Sequence, residues 1–323
     1  MAGPSSAERI QMMSATRRQF LTRATATALT AGCSARSFAQ VAEAPPSGQL
    51  PPLPTKGKVV FSDNLLDPDF ASDSGFRQNG KPCWRSRLER TRQQVGNREA
   101  GYYADPALNP EVEVWGIEPA TGCRFIQAEH VPGGLSDGRG GQIMQEWQKT
   151  VPFTYTAAII TSQTLFNRIT TGSYVEFEVK LSKVAGSWPA LWLLRSGMWP
   201  PEIDVLEAFI SSFDYPSDKV ATNVHWVHNN VHQSASAPVK LNEFEQDADI
   251  FSRFNRFGCF IGKSEIVWYF NGKPYRTASN SVGPGPWYML MNVAVGGLVA
   301  APSDPSAFPA RMYIREVKVV QFS

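Results

Sequence analysis

The sequence is poor in several features that define other protein classes. It has only 4 cysteines in 323 residues, far from the density of a small disulfide-stapled domain. Its 4 histidines and the cysteines never fall at zinc-ligand spacing, so no metal or other cofactor is expected. No run of ~20 apolar residues occurs, the length a helix needs to cross a bilayer, so no membrane span is expected. Basic and acidic residues nearly cancel, 31 against 29, and no basic stripe stands out, so nucleic acid is not an implied partner. Helical periodicity is weak throughout. Aromatic residues are plentiful, with 9 Trp and 19 Phe. Tryptophan often fills cores, but it is also a flat platform for ligands such as sugar rings.

The first forty residues read as an address. Thr16-Arg17-Arg18-Gln19-Phe20-Leu21 fits the twin-arginine export pattern, although Thr22 stands where a lysine is common. A weakly apolar stretch runs from Ala24 to Ala31, and Ser37-Phe38-Ala39 offers small residues where a signal peptidase cuts. Residues 1–39 are therefore expected to be a signal peptide, and the product periplasmic or secreted. Thr30-Ala31-Gly32-Cys33 has its leucine one position too early, at Leu29, so lipidation of Cys33 is not expected. Residues 40–57, rich in Pro, Ala and Gly, read as a linker. One domain, monomeric, is expected over 58–323. In an oxidising compartment Cys83–Cys123 is the expected disulfide, and Cys259, in an apolar run, a buried free thiol.

The domain reads as all-β. Val59-Val60-Phe61 and Thr121 to Gln127 are short strand candidates. Tyr174 to Leu181 alternates apolar and polar residues with period two, which predicts a strand with one wet face. Glu265 to Phe270 followed by Asn271-Gly272 predicts a hairpin closed by a type I′ turn. Trp287 to Val295 and Tyr313 to Phe322 are further strands, and a short helix is expected within Glu243 to Phe254. Many strands joined by Gly/Pro turns point to a sandwich of two antiparallel sheets. Residues 81–105 are irregular and carry Arg85, Arg87, Arg90, Arg92 and Arg98. They read either as a solvated surface loop or as a cleft border that meets an acidic substituent.

The chemistry concentrates in Glu202-Ile203-Asp204-Val205-Leu206-Glu207. Cleaving a glycosidic bond takes two carboxyl groups in different protonation states, one attacking or supporting water and one protonating the departing oxygen. In a regular strand 202, 204 and 206 share a face and 207 points away. Glu207 joins Glu202 and Asp204 only if the strand absorbs one extra residue, so the spacing predicts a β-bulge near Val205-Leu206. Three close carboxylates cannot all stay charged, and their repulsion retains the proton the reaction needs. Gly186 to Leu194 lies just upstream, with Trp188 and Trp192 on one strand face, and Trp199-Pro200-Pro201 leads directly into Glu202. Stacking indoles beside acids is how a sugar cleft is built. Each tryptophan could equally be core, and a strand edge merely carrying three acids is the bland alternative. His225, in Asn223 to Val227, is on its residues alone a surface or core histidine.

These blocks resemble glycoside hydrolase family 16, the laminarinases, lichenases, agarases, carrageenases and related exopolysaccharide endoglycanases. Tyr155 to Gln163, Gly172 to Leu181, Gly186 to Trp192, Trp199 to Glu207, Thr222 to Trp226 and Trp287 to Gly297 carry the resemblance, which spans roughly 58–323. It implies a β-jelly-roll with a cleft on its concave sheet and hydrolysis with retained anomeric configuration. Glu202 then resembles the nucleophile, Glu207 the general acid and base, and Asp204 the group that hydrogen-bonds the nucleophile. Trp188, Trp192, Trp199 and His225 are the implied substrate contacts, with His225 near the leaving group. No catalytic metal is implied, although some relatives hold a structural calcium. Two positions depart from the family pattern: Asn255 stands where relatives often have histidine, and the turn before Glu202 lacks the usual glycine. The shorter turn is more similar to the bacterial exopolysaccharide-type members. The implied partner is a polysaccharide, by default a β-1,3- or mixed-linked β-glucan. A galactan or exopolysaccharide substrate, a transglycosylase and a non-catalytic sugar-binding sandwich are the alternatives.

Overall fold

The computed structural model describes residues 50–322. The expected signal peptide, Cys33 and the first part of the expected linker lie outside the described residues. Two sheets dominate. One has eight strands and includes, in spatial order, Lys273–Ser279, Glu265–Phe270, Asn255–Ile261, Ser173–Leu181, Ala310–Phe322 and Arg124–Ala128. The other has ten and includes Val231–Ser234, Lys219–His228, Glu202–Glu207, Ser187–Leu194, Tyr288–Val295 and Tyr155–Thr161. Neighbours pair antiparallel, apart from short parallel pairings such as Gly101–Tyr103 with Tyr155–Thr161. Non-sequential neighbours, such as Ser187–Leu194 beside Tyr288–Val295, are what a jelly-roll requires.

The sheets pack face to face over one main core. Val175, Phe177, Phe257, Trp268 and Phe270 from the first sheet meet Ile160, Leu191, Leu193, Ile203 and Met291 from the second, all with no exposed surface. Each such side chain contributes about 1.5–3 kcal/mol on burial. The Asn271-Gly272 turn forms as expected. Phe270 pairs with Lys273, and both turn residues have positive φ, 50° and 82°, which places them in a type I′ conformation.

Three expectations are corrected. The polar face of Ser173–Leu181 is wet only in part: Glu178 and Lys180 stay half-buried, while the chain before the first strand lies against the sheet and covers Tyr174 and Glu176. Leu53 packs beside Tyr174, and the Tyr269 hydroxyl donates to the Pro51 carbonyl at 3.0 Å. Glu176 is consequently buried, 2.9 Å from Lys318 Nζ and accepting the Tyr174 hydroxyl at 2.7 Å. No helix spans 243–254. A single 3₁₀ turn covers Leu241–Glu243, and the chain then turns through Asp247, whose φ is 61°. The Asp249 carboxylate accepts from the Phe251 and Ser252 amides, an alternative to helical bonding that aspartate offers readily.

Cys83 and Cys123 are not joined. Cys83 precedes Trp84 at the margin of the ten-stranded sheet, 3.4 Å from Ser72 Oγ, whereas Cys123 leads into Arg124–Ala128 of the opposite sheet. All three described cysteines are buried free thiols. Burial pushes the Cys259 thiol up to about 12, which removes its thiolate reactivity. Unfolded without reductant, the protein is expected to take up iodoacetamide at Cys83, Cys123 and Cys259, and reductant should leave its Tm unchanged. A mass shift showing a blocked Cys83–Cys123 pair would contradict this.

Candidate active site

The bulge forms where the spacing requires it. Against Ser187–Leu194, Asp204 pairs with Trp192 and Leu206 with Leu191, so Val205 is the extra residue. Against Lys219–His228, Asp204 pairs with Asn223 and Glu207 with Ala221. Both flanking strands thus see one residue too many between Asp204 and Glu207. Ile203, Val205 and Leu206 all enter the main core with no exposed surface. Glu202, Asp204 and Glu207 are buried as well, at 0%, 1% and 4% exposure. Carboxyl groups at that depth, gathered on one strand, cannot all remain ionised, since desolvation and mutual repulsion act in the same direction.

Glu202 and Asp204 have a shared neighbour. His225 is paired with Glu202 across the strands, and its Nε2 stands 3.4 Å from Asp204 Oδ2 and 3.6 Å from Glu202 Oε1. Asn223 Nδ2 lies 2.8 Å from the same nitrogen, and His225 Nδ1 lies 2.9 Å from His232 Nε2. The two imidazoles are nearly parallel, 12° apart with centroids at 5.1 Å. Trp199 is half-buried beside them, its ring 5.0 Å from His232, and its indole N–H donates to Glu202 Oε2 at 2.9 Å. The turn that carries Trp199 is fastened by Glu89, which accepts the Gly197 amide at 2.8 Å, and by Gln163 on Ser196 at 3.0 Å.

Trp188 and Trp192 share a concavity with Asp204, Glu207, Gln94, Glu99, Tyr103 and Asn292. Both indoles are floor rather than open platform, 3% and 6% exposed. Phe209 stacks on Trp188 at 5.2 Å, and Trp192 Nε1 donates to Asn292 Oδ1 at 2.8 Å. Residues 81–105 do border this concavity, but not through their arginines. Arg87 and Arg92 pair with Asp73 at 2.9 and 2.5 Å, and Arg85 bonds Gln163 at 2.9 Å. What the segment contributes is an acid. Glu99, 2% exposed, accepts the Tyr103 hydroxyl at 2.8 Å and Asn97 Nδ2 at 2.7 Å.

Glu99, Tyr103, Phe209, His232 and Asn292 were not singled out from sequence. Asn292 had a visible signal, a lone amide in the apolar run Met289-Leu290-Met291-Asn292-Val293. The others become neighbours only through tertiary pairing. Asn255, one of the two departures, lies in the opposite sheet, where it donates to the carbonyls of Asp249 and Arg253 and holds a turn. Glu202, Asp204 and His225 present ligand atoms within 4.8 Å of one another, the one group among the described residues with the geometry to hold a cation. A larger hollow, about 440 Å³, lies away from the acids between Ser62, Asp63, Asn64, Glu178, Arg315 and Glu316. It has no aromatic lining, and its Arg315 is already paired with Glu178.

Residues 140–314 match the family described as Glycosyl hydrolases family 16. The chain belongs to that family. It is 28% identical over 261 residues, 80% of its length, to the endo-1,3-1,4-β-glycanase EglC of Rhizobium meliloti (strain 1021), covering 50% of that protein. It is 30% identical to ExsH of the same organism, also an endo-1,3-1,4-β-glycanase, over 69% of this chain and 43% of that one. The chain therefore spans about half the length of these curated relatives. Among solved structures, the laminarinase catalytic domain from Thermotoga maritima MSB8 superposes with a TM-score of 0.59 at 23% identity, covering 83% of this chain and all of that one. The endo-β-1,3(4)-glucanase SCLam gives 0.61 at 24% identity, covering 86% and 98%. These likenesses establish the family 16 fold.

Asn292 ties the Trp192 indole to Tyr103, whose hydroxyl it approaches at 3.5 Å. Asn292→Ala leaves that buried indole N–H without its acceptor. Chemical denaturation should show a loss of about 1–3 kcal/mol; an unchanged midpoint would mean that the network does not hold the floor.

Proposed function

We propose that this protein is a retaining endo-glycanase that cleaves internal β-1,3 or mixed β-1,3-1,4 linkages of an extracellular glucan. The observation that carries the reading is the bulged strand, which gathers Glu202, Asp204 and Glu207 in buried positions beside indole rings. Glu202 attacks the anomeric carbon, and Glu207 protonates the departing glycosidic oxygen. Water, deprotonated by Glu207, then displaces Glu202, so two inversions restore the starting configuration. This route suits carboxyls about 5–5.5 Å apart. The Trp199 indole fixes the plane of the Glu202 carboxylate, and Asp204 bears on the charge of the nucleophile. The floor of Trp188 and Trp192 meets the sugar rings, and His225 faces the same acids. The names of EglC and ExsH, endo-1,3-1,4-β-glycanases, support the linkage.

A bacterial exopolysaccharide is the second substrate reading, favoured by the short Trp199-Pro200-Pro201 turn. The complete set of three acids speaks against a sandwich that only binds sugar. The pair Arg17-Arg18 and the small residues at Ser37 and Ala39 support export by the twin-arginine route to the periplasm or beyond.

Glu202→Gln is expected to lower hydrolysis of laminarin and lichenan by ~10⁴- to 10⁶-fold, the range over which removal of a catalytic-triad member acts, while oligosaccharide binding persists. Hydrolysis at the wild-type rate by this variant would sink the assignment. A proton NMR time course of wild-type digestion should show the β-anomer of the new reducing end first. Initial release of the α-anomer would exclude double displacement.

A further inference from the structure

The catalytic strand is gripped at its bulge from behind, by the opposite sheet and through the core. A bulge disrupts the hydrogen-bond ladder locally, so the backbone there depends on other partners. Trp268, on Glu265–Phe270, has no exposed surface, and its Nε1 donates to the main-chain carbonyl of Asp204 at 2.9 Å. The bond joins residues 64 apart in sequence and belongs to neither sheet's ladder.

Arg276 completes the grip. It pairs in register with Trp268, and its guanidinium lies 4.5 Å over the indole ring. The same guanidinium donates to Thr222 Oγ1 and, at 2.5 Å, to the Ala235 carbonyl. Thr222 falls between Asn223 and Ala221, the partners of Asp204 and Glu207, so it faces the bulge from the next strand. Burial lowers Arg276 to about 10. The group therefore stays cationic at neutral pH beneath the acids.

We propose that Trp268 and Arg276 are positioning residues for the hydrolysis, locking the Asp204-Val205 peptide so that Glu207 stays on the face of Glu202. This rests on the reading of Glu202 and Glu207 as nucleophile and acid. The indole holds the bulge carbonyl, and the guanidinium holds both the indole and the strand that faces the bulge. If that peptide rotates, Glu207, three residues on, leaves its place, and a shift of ~1 Å in a reacting group can cost about 100-fold in rate.

The molecule contains a matched control. Trp287 is equally buried and also lies under a guanidinium, Arg195 at 4.9 Å, yet its Nε1 meets no acceptor among the described residues. Trp268→Phe and Trp287→Phe remove the same atoms from the core, but only the first removes a bond to the bulge. Both should lower Tm. On soluble β-glucan, well below either Tm, Trp268→Phe should lose about tenfold or more in kcat at little-changed KM, while Trp287→Phe keeps its kcat. Arg276→Lys, which keeps the charge but not the planar fork, should fall with Trp268→Phe, and it carries the test if that variant does not fold. Equal kcat for the two tryptophan variants, or a wild-type kcat for Arg276→Lys, would overturn the inference and leave the assigned chemistry standing. A wild-type protein that hydrolyses no β-glycan would overturn both.

Discussion

One surplus residue governs this site. Between Asp204 and Glu207 the strand Glu202–Glu207 has three peptide steps where each neighbouring strand has two. Without the surplus, a six-residue strand that begins on Glu202 would send its last side chain into the core. With it, three aliphatic side chains, Ile203, Val205 and Leu206, all point inward and all three acids point the other way. Burying the three apolar groups stabilises the arrangement by about 1.5–3 kcal/mol each, against the cost of desolvating the carboxyls above them.

The remaining parts of the site serve that arrangement. Trp199 and His225 give the first two acids polar neighbours, and Asn223 holds His225 in place. Glu99, Tyr103 and Asn292 form a linked set that fixes the Trp192 floor on the side of Glu207. Trp268 and Arg276 reach the bulge from the opposite sheet. The interior thus meets the candidate site at a main-chain carbonyl of the bulge.

Much of this was legible in the sequence, because the signals were local. Period-two alternation marks the strand at Tyr174 to Leu181, apolar runs mark others, Asn271-Gly272 marks its turn, and the odd spacing of Glu202 and Glu207 requires a bulge at Val205-Leu206. Features that depend on distant partners leave a misleading local signal or none. The arginines of residues 81–105 fit a surface loop or a cleft border equally on sequence, and only the fold shows that Asp73 engages Arg87 and Arg92. Cys83 and Cys123 suggest a pair, yet each precedes a strand of a different sheet. Glu176 alternates as a wet residue would, but residues 51–53 lie against the same sheet and bury it. His232 and Glu99 enter the site through strand pairing and a loop return, which no local pattern encodes.

The most direct test alters the length of the strand. Deleting Val205 leaves Glu-Ile-Asp-Leu-Glu, which pairs without a shift against both neighbours and keeps the three acids on one face. Inserting one alanine between Val205 and Leu206 adds a second surplus residue and turns Glu207 away. Rates of β-glucan hydrolysis should therefore survive in the deletion variant, reduced by the small cavity left in the core, and vanish in the insertion variant. Loss of activity in a folded deletion variant, or its persistence in the insertion variant, would contradict the bulge as the element that brings Glu202 and Glu207 together.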